Sequence, residues 1–291
     1  MKVDRAILPH AARLRLRSPG AVTGEQPGDR RSRLAGRGVE LADHRAYGAG
    51  DELRLIDWNA WQRLGTLQVR LFHESRGQRL HLALDTSASM GTPADKADRA
   101  ATVTAAVAMS ALLQRDALRL SLGGGAHPQA LTGGDGGAFG AVLHALESAR
   151  VGGDDRRGLA NLLAASRVDR AVLVSDLLME PAELTLLLRS LASGGRQAAV
   201  VHVLSAADLS PPLDRPVELV DAETGARLEL GGGPELKRAW QDALRRWLEA
   251  VPAECGRLGV RYVPALAPAG PAEILDQLRK AGVLESRQGG G

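Results

Sequence analysis

Aromatic residues make up 3% of this 291-residue chain, and it has a single cysteine, Cys255. One cysteine excludes an internal disulfide and any multi-cysteine metal site, and its position fits a small apolar residue near a helix end. No apolar stretch reaches the roughly 20 residues of a membrane span. The longest uncharged run, residues 100–113, reads as a buried helix. The opening MKVDRAILPHAARLRLRSPG scatters charges among its apolar positions, so it offers neither a signal-peptide core nor a cleavage site. A cytoplasmic chain with no membrane span is expected.

Catalytic signatures are also missing. There is no G-x-x-x-x-G-K-[ST] and no Gly-Lys pair, which excludes a P-loop nucleotidase. No G-x-S-x-G elbow is present, and the histidines form no H-E-x-x-H. The net charge is +3, with basic residues crowded into positions 1–37. Nearly all of them are arginine, and no aromatic residue interleaves to stack on bases, which weighs against nucleic acid as a partner. The competing reading is a solvated, flexible basic arm over 1–37.

From Gly38 to Arg79, charged and apolar residues alternate between turn signals, indicating a strand-and-turn extension over 38–79. The period then changes. Strands at 80–85, 117–122, 170–176 and 197–204 alternate with helices near 96–115, 137–149, 159–166 and 181–193. Near-continuous apolar strands alternating with helices point to a mostly parallel sheet covered on both faces, a doubly wound α/β domain spanning 80–285. PVELVDAETGARLEL reads as a hairpin near 217–230, turning at Thr224 and Gly225. A tryptophan-bearing helix over 235–251, a strand at 259–264 and a helix at 271–281 complete the pattern.

The chemistry sits where strands end. LHLALDTSASMG closes an apolar strand with Asp85, Ser87 and Ser89, and AVLVSD closes another with Ser175 and Asp176. Ligands of open parallel sheets bind at carboxyl ends of strands. An all-oxygen set of carboxylates and hydroxyls suits Mg²⁺ or Mn²⁺ rather than Zn²⁺. The competing reading is that Asp85, Ser87 and Ser89 cap the following helix.

DTSASM resembles the D-x-S-x-S signature of the metal-ion-dependent adhesion site (MIDAS) in von Willebrand factor A (vWA) domains. With GVELADHRAYGAGDELRLIDWNAWQRLGTLQVRLFHE upstream, LVSDLL in the middle and LVDAETG downstream, the chain from about residue 36 resembles the domain of unknown function 58 family. The upstream pattern comprises Arg45, Tyr47, Gly50, Asp51, Arg54, Ile56, Asp57, Trp58 and Glu74. The resemblance implies a vWA-like, Rossmann-like core and a non-enzymatic protein-interaction module paired with a MoxR-type AAA+ ATPase. It makes Asp85, Ser87 and Ser89 the first metal loop and Asp176 the distal carboxylate.

The sequence departs from the family at the expected threonine. Arg157 or Gly158 stands there, and an arginine could put its charge between Asp85 and Asp176 in place of the ion, leaving a degenerate site. Arg45, Asp51, Arg54, Asp57 and Glu74 read either as an ion-pair network holding the N-terminal strands or as a docking surface. Trp58, next to Leu53, Leu55 and Ile56, is expected to be a buried anchor. Two alternatives remain at this stage: a Mg²⁺-dependent hydrolase using Asp85, and nucleic-acid binding through the basic arm.

Overall fold

The apolar runs become strands in chain order. The computed structural model describes residues 1–17, 40–48, 56–73, 77–123, 129–132, 136–152, 156–267 and 269–287. The strands are β1 (Leu14–Leu16), β2 (Glu40–Ala46), β3 (Gln68–His73), β4 (Arg79–Leu84), β5 (Ala117–Leu122), β6 (Gln129–Thr132), β7 (Arg170–Ser175), β8 (Gln197–Leu204), β9 (Val217–Val220), β10 (Arg227–Leu230), β11 (Val260–Leu266) and β12 (Leu284–Ser286). The helices are α1 (Leu8–Ala11), α2 (Trp58–Leu64), α3 (Ala94–Leu112), α4 (Gly136–Ser148), α5 (Arg156–Ala165), α6 (Pro181–Ala192), α7 (Ala206–Leu209), α8 (Pro234–Arg257) and α9 (Pro271–Lys280). The chain divides into two compact units, Gly20–Gly77 and the remainder.

In the larger unit the sheet order is β11-β8-β7-β4-β5-β6. The first five strands run parallel, and β6 is antiparallel to β5. Every residue of β7 is buried, as a central strand covered on both faces requires. Alternation divides the core. Val172, Val174, Ala199, Val201 and Val203 face α3, α4 and α9, whereas Ala171, Leu173, Ala198 and Val200 face α5, α6 and α8. The fold is therefore the doubly wound α/β architecture expected. The hairpin β9–β10 is a separate two-stranded sheet, and its Gly225 takes the left-handed φ of +70° at the turn.

The N-terminus departs from expectation. Residues 1–17 are not a free basic arm: β1 pairs with β12, and Ile7, Ala11 and Leu16 are buried in the core beside α3. Arg5 pairs with Glu147 and Arg15 with Glu285. The three apolar anchors recur too sparsely among arginines to register as a packed element. Residues 18–37, the rest of the expected arm, lie outside the described residues.

In the smaller unit, β2 and β3 form an antiparallel pair and α2 begins at Trp58. Trp58 is 54% exposed and meets Trp61, itself 47% exposed, edge to face at 6.2 Å. The buried anchor expected there is thus corrected. Asp57 caps the helix by accepting the Ala60 amide at 3.0 Å, and this start rotates Trp58 onto an open face.

Candidate functional site

Strands β4 and β7 are neighbours, so their carboxyl ends converge as the sequence implied. Asp85 continues the β4 ladder through its amide to Val174 O at 2.9 Å, and its side chain is buried. Its Oδ1 accepts the Ser87 amide at 2.9 Å, and its Oδ2 accepts the Ser175 hydroxyl at 2.7 Å. Burial and the nearby Asp176 carboxylate push the Asp85 carboxyl above its ordinary range, against the donors that favour its charged form. Ser87 and Ser89, also buried, bring their hydroxyl oxygens to 3.2 Å.

Two backbone details shape this corner. Leu177, directly after Asp176, has a φ of +54°, a left-handed conformation that a leucine adopts at a cost of about 1 kcal/mol. Its amide is held by Ser175 Oγ at 3.0 Å. Gly123, at the end of β5, has a φ of +60°, and a Cβ there would collide with Thr86 Oγ1. Only glycine lets β5 end against the loop after β4.

Asp176 is fully buried, and its counterion is a residue the sequence did not single out. Lys96, in the first turn of α3, places Nζ 2.9 Å from Asp176 Oδ2 and 3.3 Å from Asp208 Oδ2, with its side chain wholly buried. A cation in a helix's first turn opposes the helix dipole, so these two carboxylates hold it. Asp208 is fixed in turn by the capping box of α7, accepting the Ser205 amide at 2.8 Å and its hydroxyl at 2.7 Å. The strand ends of β4, β7 and β8 thus all contribute. The available signal was compositional. In a chain with 37 basic residues, Lys96 is the one lysine between Lys2 and Lys237.

The arginine at the expected threonine corner is Arg156, not Arg157. Arg156 shares the buried stripe of α5 with Leu159, Ala160 and Leu163, at helical spacings of three, four and seven, whereas Arg157 is rotated outward and exposed. Arg156 Nη2 lies 3.5 Å from Ser89 Oγ and pairs with Glu223 Oε1 at 2.5 Å. Glu223, in the β9–β10 turn, also accepts the Ser89 amide at 3.1 Å. The turn is set by Asp221, whose Oδ1 accepts the Thr224 amide at 2.6 Å and the Glu223 amide at 3.1 Å.

Behind Asp176, His202 closes the site. One ring nitrogen, Nε2, lies 2.9 Å from the Asp176 carbonyl oxygen and the other, Nδ1, 2.7 Å from the Tyr262 hydroxyl. A carbonyl only accepts, so Nε2 carries the proton and Tyr262 donates to Nδ1. Burial lowers the His202 pKa to about 4 and raises that of Tyr262 to about 12. Trp247 meets the imidazole edge-on at 4.8 Å.

Asp51, Arg54 and Glu74 lie outside the described residues, as does the side chain of Arg45, and Asp57 serves as the α2 cap.

A divalent ion fits the hydroxyls but not the charges. The 3.2 Å separation of Ser87 Oγ and Ser89 Oγ approaches that of adjacent ligands in an octahedral Mg²⁺ shell, about 2.9 Å for bonds of about 2.05 Å. The acids the ion needs are already engaged: Asp176 and Asp208 by Lys96, Glu223 by Arg156, and both Asp85 oxygens by protein donors. As arranged, the donor set does not fit Mg²⁺ or Mn²⁺.

No curated protein matches the chain. Solved structures similar to it include two from Bacteroides. A conserved hypothetical protein BatB from Bacteroides thetaiotaomicron is 15% identical, covering 70% of this chain and 98% of its own, with a TM-score of 0.42. An aerotolerance-related membrane protein from Bacteroides fragilis, with multiple mutations to serines, is 16% identical, covering 70% and 100%, with a TM-score of 0.39. A family model described as "Protein of unknown function DUF58" matches residues 43–249, most of the larger unit's sheet and every described site residue but Tyr262. The chain belongs to the DUF58 family.

Proposed function

We propose that this protein is a non-enzymatic interaction module of the vWA type, acting in the cytoplasm as an adaptor for a MoxR-type AAA+ ATPase and docking its partner at the carboxyl ends of β4, β7 and β8. One observation carries the docking site: the loop after β4 already holds a carboxylate, Glu223, on the Ser89 amide, at the edge of a cavity of about 660 Å³. Arg156, Leu178, Trp240, Leu244 and Trp247 line that cavity. Such a mixture of apolar walls and a few convergent polar groups is what a recognition pocket requires. The indole N–H of Trp240 is buried in the cavity wall and has no acceptor among the described residues. The ATPase itself follows from the family resemblance.

The chemistry of the site supports binding over turnover. His202 has both nitrogens engaged and stays neutral down to about pH 4, so it is a poor general base at neutral pH. Cys255 is buried, its thiol pushed up to about 12, far from the thiolate a nucleophile needs. No helix among the described residues is long and apolar enough to cross a membrane.

The test is capture of a MoxR-type ATPase from the native host by the full chain, compared with Leu178→Asp, which adds a charge to the cavity wall at a residue 36% exposed. Reduced capture with an unchanged unfolding midpoint supports the reading. Phosphatase and nuclease assays, with Asp85→Ala as control, address the rival: robust Asp85-dependent turnover overturns the adaptor.

A further inference from the structure

We infer that Lys96 and Arg156 are the resident cations of this site, and that it is organised without a divalent metal. Lys96 Nζ is fully buried and lies within 3.3 Å of two carboxylates, Asp176 and Asp208. Burying an ammonium is costly unless it is paired on more than one side, and here both partners are themselves fixed, Asp176 by the Leu178 amide at 3.2 Å and Asp208 by Ser205. On the other flank, Arg156 reaches Ser89 Oγ and the Glu223 carboxylate. The guanidinium therefore stands beside one of the two hydroxyls a metal would use, and the ammonium stands on the distal carboxylate. An ion entering between the serines and Asp176 meets a fixed positive charge on each side and must dislodge both.

The arrangement has a structural corollary. Neither cation can leave: Lys96 is anchored in the first turn of a helix whose inner face is buried along its length, and Arg156 lies on the buried stripe of α5. The loop after β4 is thus held in one state by covalently attached charges, with its Ser89 amide on Glu223, regardless of the divalent ion concentration. This inference concerns the ion alone and stands whether or not the partner is an ATPase.

The full chain is titrated with Mn²⁺ and followed by electron paramagnetic resonance, and its unfolding is compared in EDTA and in excess Mg²⁺. The wild type is expected to show no saturable uptake below the millimolar range, ~1 mM or weaker, and the same unfolding midpoint in both buffers. Lys96→Gln, which is one atom shorter and still a hydrogen-bond donor but removes the charge, is expected to tighten Mn²⁺ binding at least ~10-fold. Micromolar binding by the wild type, or a lower midpoint in EDTA, overturns the inference. A folded Lys96→Gln that gains no affinity overturns it too, because Lys96 is then not what excludes the ion. Should Lys96→Gln fail to fold, Arg156→Gln is titrated instead with the same criteria, and the two wild-type arms still decide.

Discussion

The Glu223 carboxylate and the Ser89 amide meet at 3.1 Å although 134 residues separate them, so the tip of one hairpin closes on the loop of a distant strand. Arg156 completes the contact, with its side chain and that of Glu223 10% and 12% exposed. Glu223→Ala leaves a largely buried guanidinium and an amide without their acceptor, and should cost about 1–3 kcal/mol. Because both residues serve one contact, Arg156→Ala combined with Glu223→Ala should cost less than the sum of the two. Urea denaturation of the three variants measures this, and strictly additive losses would show that the contact is energetically idle.

A larger effect is expected at Asp176. Removing one partner of a buried ion pair leaves a charge only partly compensated, so Asp176→Ala should destabilise by about 3–5 kcal/mol, with Asp208 as the carboxylate that remains on Lys96 among the described residues. A double variant, Asp176→Leu with Lys96→Met, should recover much of that loss because it buries no charge. A double variant no more stable than Asp176→Ala would count against an ion-pair role.

Acid should weaken the fold through two histidines. His202 and His81 are both fully buried, and burial lowers each to about 4 from an ordinary 6.5. Between those values the unfolded chain binds protons that the folded chain refuses, so stability is retained above about pH 6.5 and falls as pH drops toward about 4. Each contributes at most about 3 kcal/mol. Asp85, shifted upward, acts with the opposite sign: its burial cost is present when it is ionised and is relieved as it protonates. Melting temperatures across this window should decline, and His81→Gln with His202→Gln should flatten the slope. An unchanged slope would assign the acid sensitivity to other groups.

Much of this architecture is legible in the chain because the signals are long. RAVLVSD and QAAVVHVL are continuous apolar runs, and a parallel strand covered on both faces must read that way. The D-x-S-x-S loop and the paired strand end at Asp176 are legible because carboxylates closing apolar strands have few structural reasons to be there. What escaped was decided by phase and by tertiary contact. One residue of helical rotation separates Arg156, inside, from Arg157, outside. Lys96, in PADKADRA, looks like any solvent-facing helix start until α3 is packed against the strand ends. β6 is only four residues long and sits in a glycine-rich stretch.

Trp58 and Trp61 test the smaller unit. Both are about half exposed and stacked edge to face in one short helix. Replacing Trp58 with Ala removes little buried surface, so the unfolding free energy should change by less than about 1 kcal/mol, far below the 3–5 kcal/mol of a truncated core aromatic. Exposed aromatics of this kind are favoured anchors at interfaces, so partner capture should drop more than stability does. A midpoint shift of core size would restore the anchor role.

The last prediction concerns the first 17 residues. A disordered basic arm could be deleted without consequence, but this segment buries Ile7, Ala11 and Leu16, and β1 pairs with β12. Further ties run through the Asp4 amide to Thr102 Oγ1 at 3.0 Å and from the Ser110 hydroxyl to Ala11 O at 3.0 Å. Both tie the segment to α3, the helix whose first turn carries Lys96. Leu16→Ala, at a residue 2% exposed, should cost about 2–5 kcal/mol, and deletion of residues 1–17 should cost more by opening the α3 face to water. Hydrogen exchange adds a spatial readout. Protection in α3 and β12 should fall in the deletion variant, while α5, α6 and α8, on the other face of the sheet, should change least. Equal loss of protection everywhere would mean that the deletion weakens global stability alone, and unchanged protection would return the segment to the role of a loose arm.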